Sequence, residues 1–117
     1  HPLRSMKERG IMAGGNSDYA VSDGNPLKQI YAAVTRKTMT GRMVGPEEAI
    51  SVTEAIRLYT WKGAYLSKEE DLKGSLEPGK MADMVVLDRD ILTEPPEKIK
   101  NLKVIMTIVG GRILYQR

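Results

Sequence analysis

Cysteine is absent from the 117 residues, and histidine occurs once, at position 1. Without Cys there is neither a disulfide framework nor a thiolate metal site. A catalytic zinc site takes three protein ligands, usually His with a carboxylate or Cys. With a single His, no His-rich site can be assembled within one copy of this chain. A carboxylate-only site for a hard cation survives this count, but no Asp/Glu spacing resembles a calcium loop. No stretch approaches the ~18 consecutive apolar residues of a membrane span. His1-Pro2-Leu3-Arg4-Ser5 contains no apolar signal region. It also lacks an initiator Met, which suggests that the chain begins inside a longer protein. Cysteine-free composition and the missing signal are compatible with a reducing, cytoplasmic location.

A strong excess of one charge is also missing. Eighteen Lys and Arg stand against 15 Asp and Glu, a net +3. Runs such as Lys98-Ile99-Lys100 and Lys68-Glu69-Glu70 read as solvated surface. A nucleic-acid footprint needs clustered cations, preferably with stacking aromatics. Neither nucleic acid nor membrane is therefore expected as a partner. The hydrophobic fraction of 41% and the charged fraction of 28% suit a globular protein with a modest core. Folding at this size is marginal, and a complete barrel enzyme needs roughly twice this length or more.

What is present reads as helices first and strands second. Leu3 to Arg9 predicts a short helix closed by Gly10. Ile11-Met12-Ala13-Gly14 reads as a short buried strand. Gly15 to Asn25 is rich in turn formers and predicts a loop. Asn25 caps a helix with Pro26 at its first position. Leu27, Ile30, Tyr31 and Val34 form one apolar face of that helix. Ser51-Val52-Thr53-Glu54 reads as a capping box, opening one continuous helix through Leu66. Beyond residue 70, Ala82 to Leu87 is strand-like and Asp88 to Lys100 reads as a polar, Pro-containing loop. Leu102 to Val109 and Arg112 to Tyr115 predict strands joined at Gly110-Gly111, a hairpin signal. Two structural regions are expected, 1–70 and 71–117.

Two motifs look chemical. Gly74-Ser75-Leu76-Glu77-Pro78-Gly79-Lys80 has the spacing of a phosphate-binding P-loop. That motif needs Ser or Thr after the Lys, where this chain has Met81. It also needs a strand before it and a helix after it. Pro78-Gly79 reads as a turn, so the match is rejected. Asp18 is the second. It follows a short apolar run in a Gly-rich loop leading to a capped helix. At the C-terminal end of a barrel strand, such a carboxylate can bind metal and shuttle protons. A turn Asp bonding its own backbone explains the same pattern, and on pattern alone it is favoured. Asp23, in a second Ser-Asp pair, competes for the role from further into the loop.

The segments together carry a resemblance. Gly14-Gly15-Asn16-Ser17-Asp18, Asn25-Pro26-Leu27 and Ile30-Tyr31-Ala32-Ala33-Val34-Thr35-Arg36 look like the last barrel strand, loop and helix of the metal-dependent amidohydrolase superfamily, in its amidohydrolase 3 group. His1 to Ser5 is similar to the stretch just upstream in that group, and Ser51 to Thr60 to the following helix. Gly74 to Asp88 resembles the superfamily's C-terminal signature, and Thr107 to Tyr115 its terminal hairpin. The resemblance implies an α/β chain, α+β when taken as a fragment: the end of a TIM-like (β/α)8 barrel plus antiparallel strands of a small composite β-sandwich domain. It implies a structural role for the signature.

It further implies that Asp18 is the catalytic Asp and a metal ligand, accepting a proton from metal-bound water and passing it to the leaving nitrogen. Asn16, Ser17, Tyr19 and Asp23 would form the substrate loop beside it. The implied cofactor of the whole enzyme is a divalent metal, zinc first. The superfamily's His-X-His pair, bridging Lys or Glu and later His ligands have no counterpart here. The chain by itself is thus expected to be inactive, with the remainder of the enzyme and a small amide-type substrate as its partners. The alternative is a non-catalytic assembly module, oligomerising through exposed apolar surface and hairpin edges.

Overall fold

Four α-helices, two short 3₁₀ helices and three strands form along the chain, described in a computed structural model that covers residues 1–117. Helix α1 spans Leu3–Glu8 and α2 spans Pro26–Thr35. The Asn25 side chain accepts the Leu27 N–H at 3.0 Å, satisfying one of the donors a helix start leaves open. Leu27, Ile30, Tyr31 and Ala33 of α2 are buried. Val34 packs against the same cluster, so the periodicity read from the sequence marks the core face.

The expected helix through Leu66 is interrupted. Helix α3 spans Val52–Leu58 and α4 spans Trp61–Leu66. Ser51 Oγ accepts the Glu54 N–H at 3.2 Å, which supplies half of a capping box. Glu54 does not return the bond; it turns to Lys62, Lys7 and Arg57 at 3.3 to 3.5 Å. At the other end of α3, Tyr59 and Thr60 donate their N–H groups to Ile56 and Arg57, tightening the final turn. Thr60 then leaves helical geometry at φ −126°, ψ −102°, while its hydroxyl bonds the Ile56 carbonyl at 3.0 Å. A Thr side chain competing in this way weakens a helix where it stands.

Ile11 to Gly14, expected as a short buried strand, forms no strand. A strand needs a ladder partner, and the sheet is formed by the distant C-terminal residues. The Ile11 N–H instead bonds the Met6 carbonyl, and the Gly15 N–H bonds Leu58.

The sheet contains β1 (Met84–Leu87), β2 (Val104–Val109) and β3 (Arg112–Gln116), antiparallel in that order. Its register pairs Val85 with Thr107 and Thr107 with Tyr115. Gly110 and Gly111 both take positive φ, 55° and 78°, as a two-residue turn matching strand twist requires. Asp83 accepts the Gly110 N–H at 2.7 Å, and Asp88 accepts the Lys103 N–H at 2.8 Å. The two aspartates thus pin both ends of β1 to β2.

The region between β1 and β2 is not only loop. Pro96–Asn101 forms a 3₁₀ helix, started by a Pro whose φ is already suited to it. It places Ile99, fully buried, among Ile30, Tyr31, Ala33 and Ala55. Glu97 faces Tyr31, whose hydroxyl donates at 3.4 Å, and Lys37, at 2.7 Å. Lys100 Nζ lies 4.6 Å over the Tyr31 ring, an attractive cation–π geometry. The main core is therefore completed by a residue from the C-terminal half.

Beyond this core the molecule is open. Only 9 of 117 residues are buried, and every residue of β3 is exposed. The accessible surface is 7860 Å², whereas a compact monomer of this mass is expected to show about 6,300 Å². No helix is long and apolar enough to cross a membrane.

Candidate functional site

The sequence around Asp18 folds as a set of local bonds. The Asn16 side chain accepts the Asp18 N–H at 2.9 Å, an Asx-type turn. Asp18 takes φ 51°, a conformation that Asn and Asp tolerate better than most residues. Its carbonyl accepts the Val21 N–H at 2.6 Å. The turn is thus made by the Asn16 side chain, not by Asp18 bonding its own backbone as the residue pattern favoured. The Asp18 carboxylate makes no hydrogen bond or ion pair within the chain and is exposed.

A cleft of about 370 Å³ opens beside it. One wall is Ala13 to Asp18; the opposite walls come from Gln29, Ala33 and Arg36 of α2 and its cap, and from Tyr59. Asn16 and Ser17 line this cleft with Asp18. Tyr19 and Asp23 do not. Tyr19 points to solvent, 80% exposed. Asp23 is paired with Lys28, accepts the Asn25 N–H at 3.1 Å, and borders a separate depression. The hydrogen bond from Lys28, then that from the Asn25 backbone, holds the Asp23 carboxyl below its ordinary range. Its acceptor capacity serves the start of α2.

Four polar residues of the cleft, His1, Gln29, Arg36 and Tyr59, were not singled out by sequence reasoning as site residues. His1 is exposed and lies against the cleft. Gln29 sits on the polar side of α2 and donates to Ser22 at 3.0 Å. Arg36 stands just past α2 at φ 56°, and its Nε donates to the carbonyls of Val44 and Gly45 at 3.1 and 3.0 Å. That fixes a cation at the rim. Tyr59 carries no polar signal in an apolar helical stripe, so its sequence context hid it. Burial pushes its phenol above the ordinary value, so the hydroxyl keeps its proton at neutral pH.

These groups do not amount to a metal centre by themselves. No three His, Cys, Asp or Glu side chains converge anywhere in the chain. Asp18 offers one carboxylate, and His1 is the sole imidazole near it. Such a donor set fits part of a zinc site, not a whole one.

The P-loop-like segment is occupied by its own contacts. Lys80 Nζ lies 2.9 Å from Glu77 and 2.7 Å from Ser75 Oγ, and Ser75 donates to Glu77 at 2.6 Å. Pro78-Gly79 forms the turn, with the Lys80 N–H on the Glu77 carbonyl at 3.2 Å. The lysine is neutralised locally rather than presented to a phosphate.

A mixed helix and antiparallel-strand chain with one exposed carboxylate at the mouth of a cleft is the frame in which likeness to known proteins becomes informative. The sequence pattern of the amidohydrolase family matches residues 1–115, and this chain belongs to that family. It is 36% identical over 116 residues to the N-substituted formamide deformylase of Arthrobacter pascens, a match spanning 99% of the chain and 21% of that protein. It is 31% identical over 117 residues to the putative amidohydrolase YtcJ of Bacillus subtilis, spanning 97% of the chain and 22% of that protein. The chain thus covers about a fifth of the length of these relatives. Its fold is similar to that of a crystallised amidohydrolase from Thermotoga maritima, with a TM-score of 0.51, 19% identity, and coverage of 98% of this chain and 34% of that one.

Proposed function

We propose that this chain is the C-terminal part of a metal-dependent amidohydrolase that cleaves a carbon–nitrogen bond other than a peptide bond. Residues 1–70 would close a (β/α)8 barrel, and 71–117 would contribute strands to a composite β-domain beside it. Ile99, reaching back to α2, would join the two.

The observation that carries the reading is the state of Asp18. In a chain of this family, its backbone is anchored by Asn16 while its carboxylate stands free at a cleft. A carboxylate so placed can take a proton from an attacking water and return it to a leaving nitrogen. Asn16 and Ser17 would face the substrate, an amide-type small molecule in keeping with the deformylase relative. Tyr19 and Asp23 of the same loop would lie further out. The divalent metal, with zinc expected, would take Asp18 as one ligand and its remaining ligands from residues outside this chain. The surface in excess of a compact monomer, about 1,500 Å² by the mass–area relation, supports contact with further protein. Family membership favours this enzyme reading over a non-catalytic assembly module. A soluble, cytoplasmic protein accords with it.

The test has two arms. The 117-residue chain, incubated with zinc and formamide or acyl-amide substrates, should show no turnover. Asp18→Asn in the complete hydrolase should lower kcat by about 10²- to 10⁴-fold, the usual value of a positioned general base. Metal-dependent turnover by the chain alone, or an unimpaired Asp18→Asn enzyme, overturns the proposal.

A further inference from the structure

The interruption between α3 and α4 meets the Asp18 loop at one point. In an unbroken helix the Leu58 carbonyl would accept the N–H of residue 62. Here α3 stops at Leu58, and that carbonyl accepts the Gly15 N–H at 2.8 Å. Tyr59 is the next residue. Its ring lies so close that a Cβ on residue 15 would stand 2.5 Å from Cζ and 2.6 Å from Cε2. Real Cβ atoms do not approach so near, so any side chain at residue 15 would force the Tyr59 ring to move. The Tyr59 hydroxyl then reaches the Asn16 carbonyl at 3.4 Å, and the Asn16 side chain holds the Asp18 N–H at 2.9 Å. An unbroken series of contacts runs from the helix break to Asp18.

We infer that Gly15 and Tyr59 are a positioning pair, and that the break between α3 and α4 is the seat fixing the Asp18 carboxylate in the cleft. Neither residue touches a reacting atom. Gly15 brings its backbone against a carbonyl that the break has freed, and Tyr59 closes over it as a wall. Misplacing a reacting group by about 1 Å can cost a hundredfold in rate, so a seat of this kind has a catalytic consequence. That consequence rests on the proposed role of Asp18; the seat itself does not.

A double-mutant cycle separates positioning from mere packing. Gly15→Ala, Tyr59→Leu and the double variant are compared by amide hydrogen exchange of Gly15 and Asp18 in this chain, and by kcat and KM in the complete hydrolase. Circular dichroism confirms that each variant is folded. Gly15→Ala is expected to speed exchange at both amides by about tenfold and to lower kcat by about a hundredfold with KM little changed. Adding Tyr59→Leu should recover part of both losses, because the ring is what the new Cβ meets. Tyr59→Phe, which keeps the ring and should fold if Gly15→Ala does not, should speed Asp18 exchange by about threefold.

Additive effects in the cycle, or native exchange at Asp18 in Tyr59→Phe, overturn the inference. If Asp18→Asn is inactive while the cycle is additive, the positioning pair falls and the catalytic reading of Asp18 stands. If Asp18→Asn turns over normally while the cycle is coupled, the seat stands and the catalytic reading falls.

Discussion

In the sheet, Asp83 and Asp88 direct their carboxylates onto backbone N–H groups at the two ends of β1. In the loop after α1, Asp18 is held by its own backbone N–H, and its carboxylate has no partner in the chain. One side chain thus serves opposite ends in the two regions. An aspartate whose acceptors are filled by main chain fixes structure; one held through its main chain, with the carboxylate left at a cleft, is available for chemistry. Asp23 belongs with the first kind, since Lys28 and the Asn25 N–H fill its acceptors.

The comparison can be broken by exchanging the consequences. The largest separation is expected between Asp18→Asn, at about 10²- to 10⁴-fold in kcat with little change in thermal midpoint, and Asp83→Ala, with native kcat in the folded fraction. A catalytic loss in Asp83→Ala without a change in stability, measured by kinetics beside calorimetry, would remove the distinction. Next in size is Ile99→Ala. It empties a fully buried position in the core joining the two regions and should cost about 2–5 kcal/mol in denaturant unfolding. A cost below about 1 kcal/mol would mean that the 3₁₀ segment is not part of that core. Asp83→Ala itself should cost about 1 kcal/mol, the ordinary net value of one hydrogen bond, read from the same unfolding curves.

The smallest effect concerns pH. The hydrogen bond from Lys37 holds the Glu97 carboxyl below its usual 4.5. A carboxyl depressed in the folded state contributes stability above its unfolded value, and that stability disappears as pH falls through the folded value. Thermal midpoints should therefore decline on acidification below about pH 4.5, more steeply in the native chain than in Lys37→Met. Lys37, raised by the same bond above 10.5, gives the complementary limb: its contribution is complete below 10.5 and is lost at higher pH. Equal slopes in the native chain and Lys37→Met would show that the pair contributes nothing measurable, as many exposed pairs do.

Short-range chemistry was legible. The Asn25-Pro26 start of α2, the Ser51 cap, the Pro78-Gly79 turn and the Gly110-Gly111 hairpin all depend on residues within a few positions of one another. The apolar face of α2 was legible for the same reason. The candidate site was legible in part. Asn16, Ser17 and Asp18 line one cleft, while Tyr19 and Asp23 of the same loop do not. Sequence proximity brought in Tyr19 and Asp23, and the turn at Asp18 sent them elsewhere.

The amino-acid sequence by itself determined what this chain cannot do alone: one His and no Cys exclude a His-rich zinc centre before any folding is considered. It also placed the turns and caps, because their bonds close within a single turn of chain. Tertiary structure decided the rest. Ile99, one apolar residue in a polar run, shows its role only where α2 receives it. Ile11 to Gly14 failed to become a strand because no ladder partner lies beside it. The helix from Ser51 divided at a Thr that bonds back to Ile56, and the freed Leu58 carbonyl accepts the loop carrying Asp18. The packing of Ile99 on α2 and the bond from Gly15 to Leu58 join groups far apart in the chain, whose meeting no local pattern encodes.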